Sequence, residues 1–324
     1  MIRTAPRILI HNNEANSMIA RLAETAPDAV VATCNSYDGL PAIMKDFRPD
    51  IVYGICFQGR AGFPREALFG PDGPEWVAVG GSGVDHLRSW DVNKVTVTNS
   101  SGVAAAMMAE YVFGTLLHFT LDVPGLMADQ AARRWDGGRL VNHMHDKTML
   151  IVGLGHTGQA VAARAKAFGM HVIGTRARPT EMENVDEVHP SNALPSLWER
   201  ADFVTICVPL LPATRGMIDA QAFAAMKPSA IFVDVSRGGV VDGDALINAL
   251  RGGSIATAAL DVFATEPLPE DSPFWGLDNV IVSPHCSSVY QGWTDASFEM
   301  FLKNLARWRK GETLHNIVNP ERGY

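Results

Sequence analysis

Three charged residues stand where a parallel α/β sheet would gather its chemistry. Arg237 follows the apolar run 230–235, Glu266 follows 257–261, and His285 follows 280–283. Each run is short and apolar enough to be a strand buried on both faces, which puts each charged residue just past a strand's carboxyl end. Ligands bind along that edge in open α/β sheets. An arginine there can fork onto a carboxylate and polarise a neighbouring carbonyl. A histidine can pass a proton to or from a substrate oxygen near neutral pH, and a glutamate beside it would orient the ring. Taken alone, the three residues fit a surface Arg–Glu pair and a capping histidine equally well.

A second constellation supplies context. The apolar run 149–152 leads straight into Gly153-Leu-Gly155-His-Thr-Gly158, then a helical stretch over 159–168 and a second apolar run at 170–174. Strand, G-x-G-x-x-G turn, helix and strand within about thirty residues is the setting that a dinucleotide fingerprint requires. Gly153 permits the tight turn, Gly155 lets the backbone approach a pyrophosphate, and Gly158 lets helix and sheet pack closely. The helix N-terminus offers unpaired N–H groups and a positive dipole end to the phosphates.

The elements that must position these residues alternate throughout. Strands are predicted at 8–10, 29–33, 51–55, 76–79 and 95–98, with a helix over 16–25 where Met18, Ile19 and Leu22 fall at helical spacing. Residues 104–121 form a long apolar helix expected to cross from the first domain to the second, and 122–146 reads as loop. Beyond the fingerprint, strands at 203–208, 230–235, 257–261 and 280–283 alternate with helices at 220–226 and 244–251. A last helix over 297–310 returns to the first domain. The expected architecture is α/β: a Rossmann-type dinucleotide domain (101–289) inserted into a discontinuous, flavodoxin-like substrate domain (1–100 with 290–324), with a ligand cleft between them. Two loops at strand ends suit ligand contact, Gly54-Ile-Cys-Phe-Gln-Gly-Arg60 and Gly80-Gly-Ser-Gly83-Val-Asp-His86. The backbone N–H groups of the second could face a carboxylate, or its glycines could simply serve a turn.

Composition narrows the function classes. The chain has 324 residues, enough for two cores, with 47% hydrophobic and 19% charged residues. A net charge of −8 argues against a basic surface for nucleic acid or anionic lipid. Cys34, Cys56, Cys207 and Cys286 are scattered, as expected of reduced thiols in a cytoplasmic protein rather than of a disulfide framework. No signal core and no apolar run of membrane-spanning length is visible.

With these residues in view, the chain resembles the D-isomer-specific 2-hydroxyacid dehydrogenase family. The resemblance rests on Thr98-Asn-Ser-Ser-Gly102, Val152-Gly-Leu-Gly155, Val208-Pro-Leu-Leu-Pro-Ala-Thr-Arg215, Ser236-Arg-Gly-Gly239, Asp261-Val-Phe with Glu266-Pro, and Pro284-His285. The loop at 80–86 extends it towards the N-terminus. The resemblance implies that Arg237 holds a 2-oxo acid, that His285 is the acid/base supported by Glu266, and that backbone at Ser82 and Gly83 grips the substrate carboxylate. It further implies cofactor contacts at Leu154, His156, Thr157, Cys207, Pro209, Thr214, Val235, Ser236, Asp261 and Ser287, beside the three fingerprint glycines. The family commonly forms homodimers through the dinucleotide domain. The chain looks too short for the regulatory domain of long phosphoglycerate dehydrogenases.

Two departures matter. Asp234 stands where asparagine is frequent in the family. At the end of the second strand, where NAD-specific members carry an acidic residue for the ribose, this chain has Thr175, Arg176 and Arg178. The change points to NADP(H) over NAD(H). The implied enzyme is an NADP-dependent 2-oxo acid reductase of glyoxylate/hydroxypyruvate type, or one taking something bulkier. A formate dehydrogenase on this scaffold would pair its histidine with glutamine rather than Glu266. A dinucleotide-sensing co-repressor is the alternative from another class. His143 and His145 could share one strand face, yet no third ligand accompanies them, and no metal is expected. Cys286 and the Met107-Met108 pair read as packing. Trp135, Tyr290 and Trp293 are candidates for a substrate side-chain pocket or for core and dimer packing.

Overall fold

The computed structural model describes residues 5–54, 63–87 and 89–323. The loop 54–60 therefore lies, from Ile55 onward, outside the described residues. Contacts divide the chain into two compact units, Met1–Val103 with Tyr290–Tyr324, and Ala104–Val289.

The first unit is built from β1 (Arg7–His11), α1 (Ala15–Thr25), β2 (Val30–Cys34), α2 (Leu40–Phe47), β3 (Ile51–Gly54), α3 (Arg65–Phe69), β4 (Trp76–Val79) and β5 (Thr96–Thr98). All its strand pairs are parallel, in the order β2-β1-β3-β4-β5. That is the flavodoxin-like order, with its switch point between β1 and β3.

The second unit comprises α4 (Ala105–Thr120), α5 (Val123–Ala131), β6 (Thr148–Val152), α6 (His156–Ala167), β7 (His171–Thr175), β8 (Glu187–His189), β9 (Phe203–Ile206), α7 (Ala220–Ala225), β10 (Ile231–Asp234), α8 (Gly243–Gly252), β11 (Thr257–Leu260) and β12 (Val280–Val282). Its seven strands run β12-β11-β10-β9-β6-β7-β8, again with parallel pairing throughout. Met149, Leu150, Ile151 and Val152 are all 0% exposed. Leu150 and Val152 belong to one apolar core, Met149 and Ile151 to another, so the two-residue period of the strand feeds both faces of the sheet.

A closing helix, α9 (Trp293–Lys310), completes the first unit. Phe298, Phe301, Leu302 and Leu305 recur at helical spacing and pack with Ile8, Ile10, Tyr53 and Trp76.

Two expectations change. α4 lies wholly within the second unit, where Ala109, Val112, Phe113 and Leu116 pack against Val161, Ala162 and Ala165 of α6. The stretch 122–146 is not all loop, because α5 occupies its first part. Asp122 caps that helix by accepting from Gly125 N at 3.2 Å, and Arg139 reaches back to Asp129 at 2.5 Å and to Asp122. No helix among the described residues is long and apolar enough to cross a membrane.

Candidate active site

The fingerprint turn is fixed by its glycines in three different ways. Gly153 has φ +104, and a Cβ there would lie 2.8 Å from Val208 Cγ1 and 2.9 Å from the Cys207 carbonyl. A Cβ at Gly158 would fall 2.1 Å from the Gly153 oxygen, so only glycine lets α6 close onto the turn. At Gly155, by contrast, a Cβ would meet nothing within 4 Å. That open approach at the N-terminus of α6 is what a phosphate-bearing ligand needs, so the residues fit a dinucleotide. α6 begins at His156, three residues before the helix expected from sequence, which brings His156, Thr157 and Gly158 into its first turn.

β7 delivers the next contacts. The Thr175 carbonyl accepts from Gly153 N at 3.2 Å and Leu154 N at 2.9 Å, tying the strand end to the turn. Thr175 itself is buried, at 1% exposure. Arg176 is half-buried and donates to Thr180 Oγ1 at 3.2 Å, while Arg178 is exposed. On the opposite side of β6, Cys207 N donates to the Val152 carbonyl at 2.8 Å, which sets the start of the 207–214 loop beside the turn. Burial pushes the Cys207 thiol up. Thr214 Oγ1 donates to the Pro209 carbonyl at 2.6 Å and accepts from Leu211 N at 2.8 Å, so it shapes this loop from within.

The three charged residues lie at the ends of β10, β11 and β12, which are neighbours in the sheet. His285 Nδ1 lies 2.8 Å from Glu266 Oε2, and Glu266 Oε1 accepts from Phe263 N at 2.9 Å. Burial works to raise the Glu266 carboxyl. The bonds from His285 and Phe263, with the nearby Arg237 charge, overcome it and hold the group below its ordinary value. A carboxylate kept ionised accepts rather than donates, so the shared proton sits on Nδ1 of His285. Gly238 brings the Arg237 loop close, because a Cβ there would overlap the Phe263 carbonyl carbon at 1.8 Å. Arg237 Nη1 donates to the Ser236 carbonyl at 2.7 Å.

Beneath the trio lie two buried carboxyls. Asp234 Oδ1 accepts from Ser236 N at 2.9 Å and Ser236 Oγ at 2.5 Å. Burial pushes this carboxyl up to about 7, against the Ser236 bonds, and the neighbouring Asp261 charge adds to the rise. Asp261, 0% exposed, accepts from Ser283 Oγ at 2.5 Å, Cys286 N at 2.8 Å and Ser287 N at 2.9 Å. Asp261 and Ser287, expected as cofactor contacts, are thus bonded to one another. Val235 is buried next to them, its N–H donating to the Ile206 carbonyl at 3.3 Å.

In the first unit, the loop 80–83 is fastened through its carbonyls. Gly80 O accepts from Ser297 Oγ at 2.6 Å, Gly81 O from Ser100 N at 3.0 Å, and Ser82 O from Asn99 Nδ2 at 2.7 Å. Ser297 Oγ also lies 3.1 Å from Tyr53 OH and 2.9 Å from Ser100 Oγ, inside the core. With successive carbonyls committed to Thr98–Gly102 residues and α9, the loop is held in one shape, and Ser82 remains exposed. The sequence displayed this motif but not the job of Asn99, Ser100 and Ser297; their signal is a run of small polar residues where apolar core was due. Tyr111 was missed as well, a hydroxyl inside an otherwise apolar helix, which lies 2.8 Å from Ser283 Oγ.

Other candidates separate from these groups. His143 and His145 lie in an irregular segment, not on a strand, and no cluster of metal-holding residues occurs among the described residues. Desolvation and the Asp261 charge raise the Cys286 thiol, the wrong direction for a nucleophile. Met108 packs against the α4–α6 core. Trp135 is 97% exposed in the turn after α5; Tyr290 and Trp293 are partly buried in the first unit.

Comparison with known proteins finds relatives in both sequence and fold. The family model for the NAD binding domain of D-isomer specific 2-hydroxyacid dehydrogenases covers residues 113–287. Over 251 residues the chain is 37% identical to a glyoxylate reductase of Korarchaeum cryptofilum, a match spanning 74% of each protein. A D-3-phosphoglycerate dehydrogenase of Methanocaldococcus jannaschii is 37% identical over 246 residues, covering 74% of this chain but 46% of that longer relative. Among solved structures, a D-isomer specific 2-hydroxyacid dehydrogenase from Xanthobacter autotrophicus, in complex with NADPH and MES, gives a TM-score of 0.83 at 31% identity. That match covers 99% of this chain and 100% of the other.

Proposed function

Because the chain belongs to the D-isomer-specific 2-hydroxyacid dehydrogenase family, we propose that it reduces a 2-oxo acid to the D-2-hydroxy acid with NADPH. The observation that carries the reading is the 2.8 Å contact between His285 Nδ1 and Glu266 Oε2, at the same sheet edge as the fingerprint turn. A proton fixed on Nδ1 assigns Nε2 to the substrate oxygen. His285, as the imidazolium, protonates that oxygen during reduction and becomes neutral, and it takes the proton back in the reverse direction; Glu266 stabilises the charged ring before the first event and after the second. Arg237 holds the oxo acid and polarises its carbonyl, a task for which a planar fork suits better than a point charge. Backbone N–H groups at Ser82 and Gly83 take the substrate carboxylate, in a loop already fastened through its carbonyls.

The dinucleotide, when bound, supplies the hydride for C2 of the oxo acid. Gly153, Gly155 and Gly158 would let its phosphates approach α6, and the ends of β7, β9 and β10 would flank it. Arg176 and Arg178 are the groups for a 2′-phosphate, with no acidic side chain between them and Thr175. NADPH in the Xanthobacter relative supports this preference, and the Korarchaeum relative supports a small substrate such as glyoxylate, with hydroxypyruvate the next to test. Exposed Leu126, Met127, Trp135 and Leu140 on and after α5 support a homodimer through the dinucleotide unit. A cytoplasmic location accompanies the reading.

The test is NADPH oxidation by the full chain with a panel of 2-oxo acids, glyoxylate and hydroxypyruvate first and aromatic ones after. Turnover that disappears in His285→Ala supports the reading. Absence of turnover with every member, with both NADPH and NADH, overturns it.

A further inference from the structure

His285 sits at a bend with φ +54, a left-handed conformation uncommon for residues other than glycine, though less so for histidine than for most. Asp261, just past the end of the neighbouring strand β11, supplies the contacts on both sides of it. Asp261 collects the side chain of Ser283 and the N–H groups of Cys286 and Ser287, clasping the turn on both sides of the histidine. Ser283 has a further neighbour, Tyr111 OH at 2.8 Å, which belongs to α4.

Proton counting gives this chain a direction. A serine hydroxyl has one hydrogen, and Ser283 donates it to Asp261 Oδ1 at 2.5 Å. The hydrogen in the Tyr111–Ser283 contact must then come from the phenol. Burial pushes the Tyr111 phenol up to about 12, so it keeps that proton across the physiological range. The order is Tyr111 to Ser283 to Asp261, and Asp261 in turn receives the backbone that carries His285. The phenol orients the serine hydroxyl, and the serine and the two amides together fix the carboxylate.

We propose that Tyr111 is a positioning residue: through Ser283 and Asp261 it fixes the turn that presents His285, an inference that rests on the assignment of His285 as the acid/base. The Tyr111 hydroxyl reaches the site through Ser283, so the 283–287 turn is where its effect is read. In this role the Asp261 carboxylate serves the protein backbone first, ahead of the cofactor contact that family resemblance assigns to it.

The experiment compares Tyr111→Phe, Ser283→Ala, Ser283→Thr and the Tyr111→Phe/Ser283→Ala double variant with the wild-type full chain. Two readouts are taken: amide hydrogen exchange over 283–289, and kcat and KM for NADPH-driven reduction of the best oxo acid. Loss of one neutral hydrogen bond predicts exchange roughly five- to tenfold faster in Tyr111→Phe. kcat should fall by a similar factor, while KM and the melting temperature stay near wild type. Ser283→Thr, which keeps the hydroxyl, should restore both readouts. The double variant should be no worse than Ser283→Ala, because both changes break one chain. Wild-type exchange in Tyr111→Phe, or additive losses in the double variant, overturns the inference. If the wild type reduces no oxo acid, the functional reading fails on its own, and the exchange arm still decides whether Tyr111 holds the turn.

Discussion

At the scale of single residues, Arg237 and the pair Arg176 and Arg178 carry separable predictions. Arg237→Lys keeps the charge and loses the fork, so catalytic efficiency should fall by roughly 2–4 kcal/mol, the scale of a charged contact in a dry site. Steady-state kinetics near wild type in that variant would make the arginine peripheral. Arg176→Ala and Arg178→Ala should each lower kcat/KM for NADPH roughly tenfold or more, at about 1.5–3 kcal/mol per charged hydrogen bond, and leave NADH nearly flat. Equal losses with both cofactors would show that these arginines do not read the 2′-phosphate. Residues of this kind stand out because a charge just after an apolar strand run falls at the edge where ligands bind in a parallel sheet, although that position alone serves a surface pair equally well. Tyr111 and Asp261 are harder to read. The first hides inside an apolar helical pattern, and the second declares its partners only once 283–287 has folded beside it.

Elements were legible in proportion to their periodicity. Every strand except β8 stands out as an apolar run within a residue or two of its ends; β8 does not, because Glu-Val-His is short and polar at a sheet edge. α5 does not, because Pro124 and Gly125 open it and Leu126 and Met127 point to solvent, leaving no buried face to set a period. Its order comes from Arg139, which joins Asp122 and Asp129 across intervening chain. Glycines are a second example, for sequence marks them without ranking them. Gly238→Ala would place a Cβ on the Phe263–Ala264 backbone, at 1.8 Å from the Phe263 carbonyl carbon. Backbone cannot yield as a side chain does, so this change should destabilise the second unit by roughly 1–3 kcal/mol and separate Arg237 from Glu266. Gly252→Ala, at the end of α8 with nothing within 4 Å, is the control. It should be neutral or stabilising by up to about 1 kcal/mol. Urea denaturation of the two variants measures the contrast, and equal stabilities would show that the Gly238 contact relaxes freely.

For the whole molecule, strand order was beyond sequence periodicity, because pairing joins segments far apart, such as β6 with β9. The same long-range assembly creates the least expected titration in the chain. Asp234 is marked in sequence only as a departure from the family's frequent asparagine, with no sign of its titration, and folding then encloses it beside Asp261. Its carboxyl rises from an ordinary 3.8 to about 7. A group whose folded value is raised binds its proton more tightly in the native state. Its stabilising contribution is therefore complete below the ordinary carboxylate value and is lost as pH climbs towards 7. Carboxyls held low, such as Glu266, Asp186 and Asp202, act in the opposite sense. Total stability therefore does not isolate Asp234, whereas the difference between wild type and Asp234→Asn does. Asparagine keeps an oxygen for Ser236 and cannot ionise. The stability of Asp234→Asn relative to wild type should rise between about pH 4 and 7 and level off above. The span from 3.8 to about 7 sets an upper limit of roughly 4 kcal/mol on that rise. Denaturant melts at pH 4.5, 6 and 8 would follow it. A difference that stays constant across those three pH values would mean that Asp234 is ionised throughout, relieved by water or by Arg237.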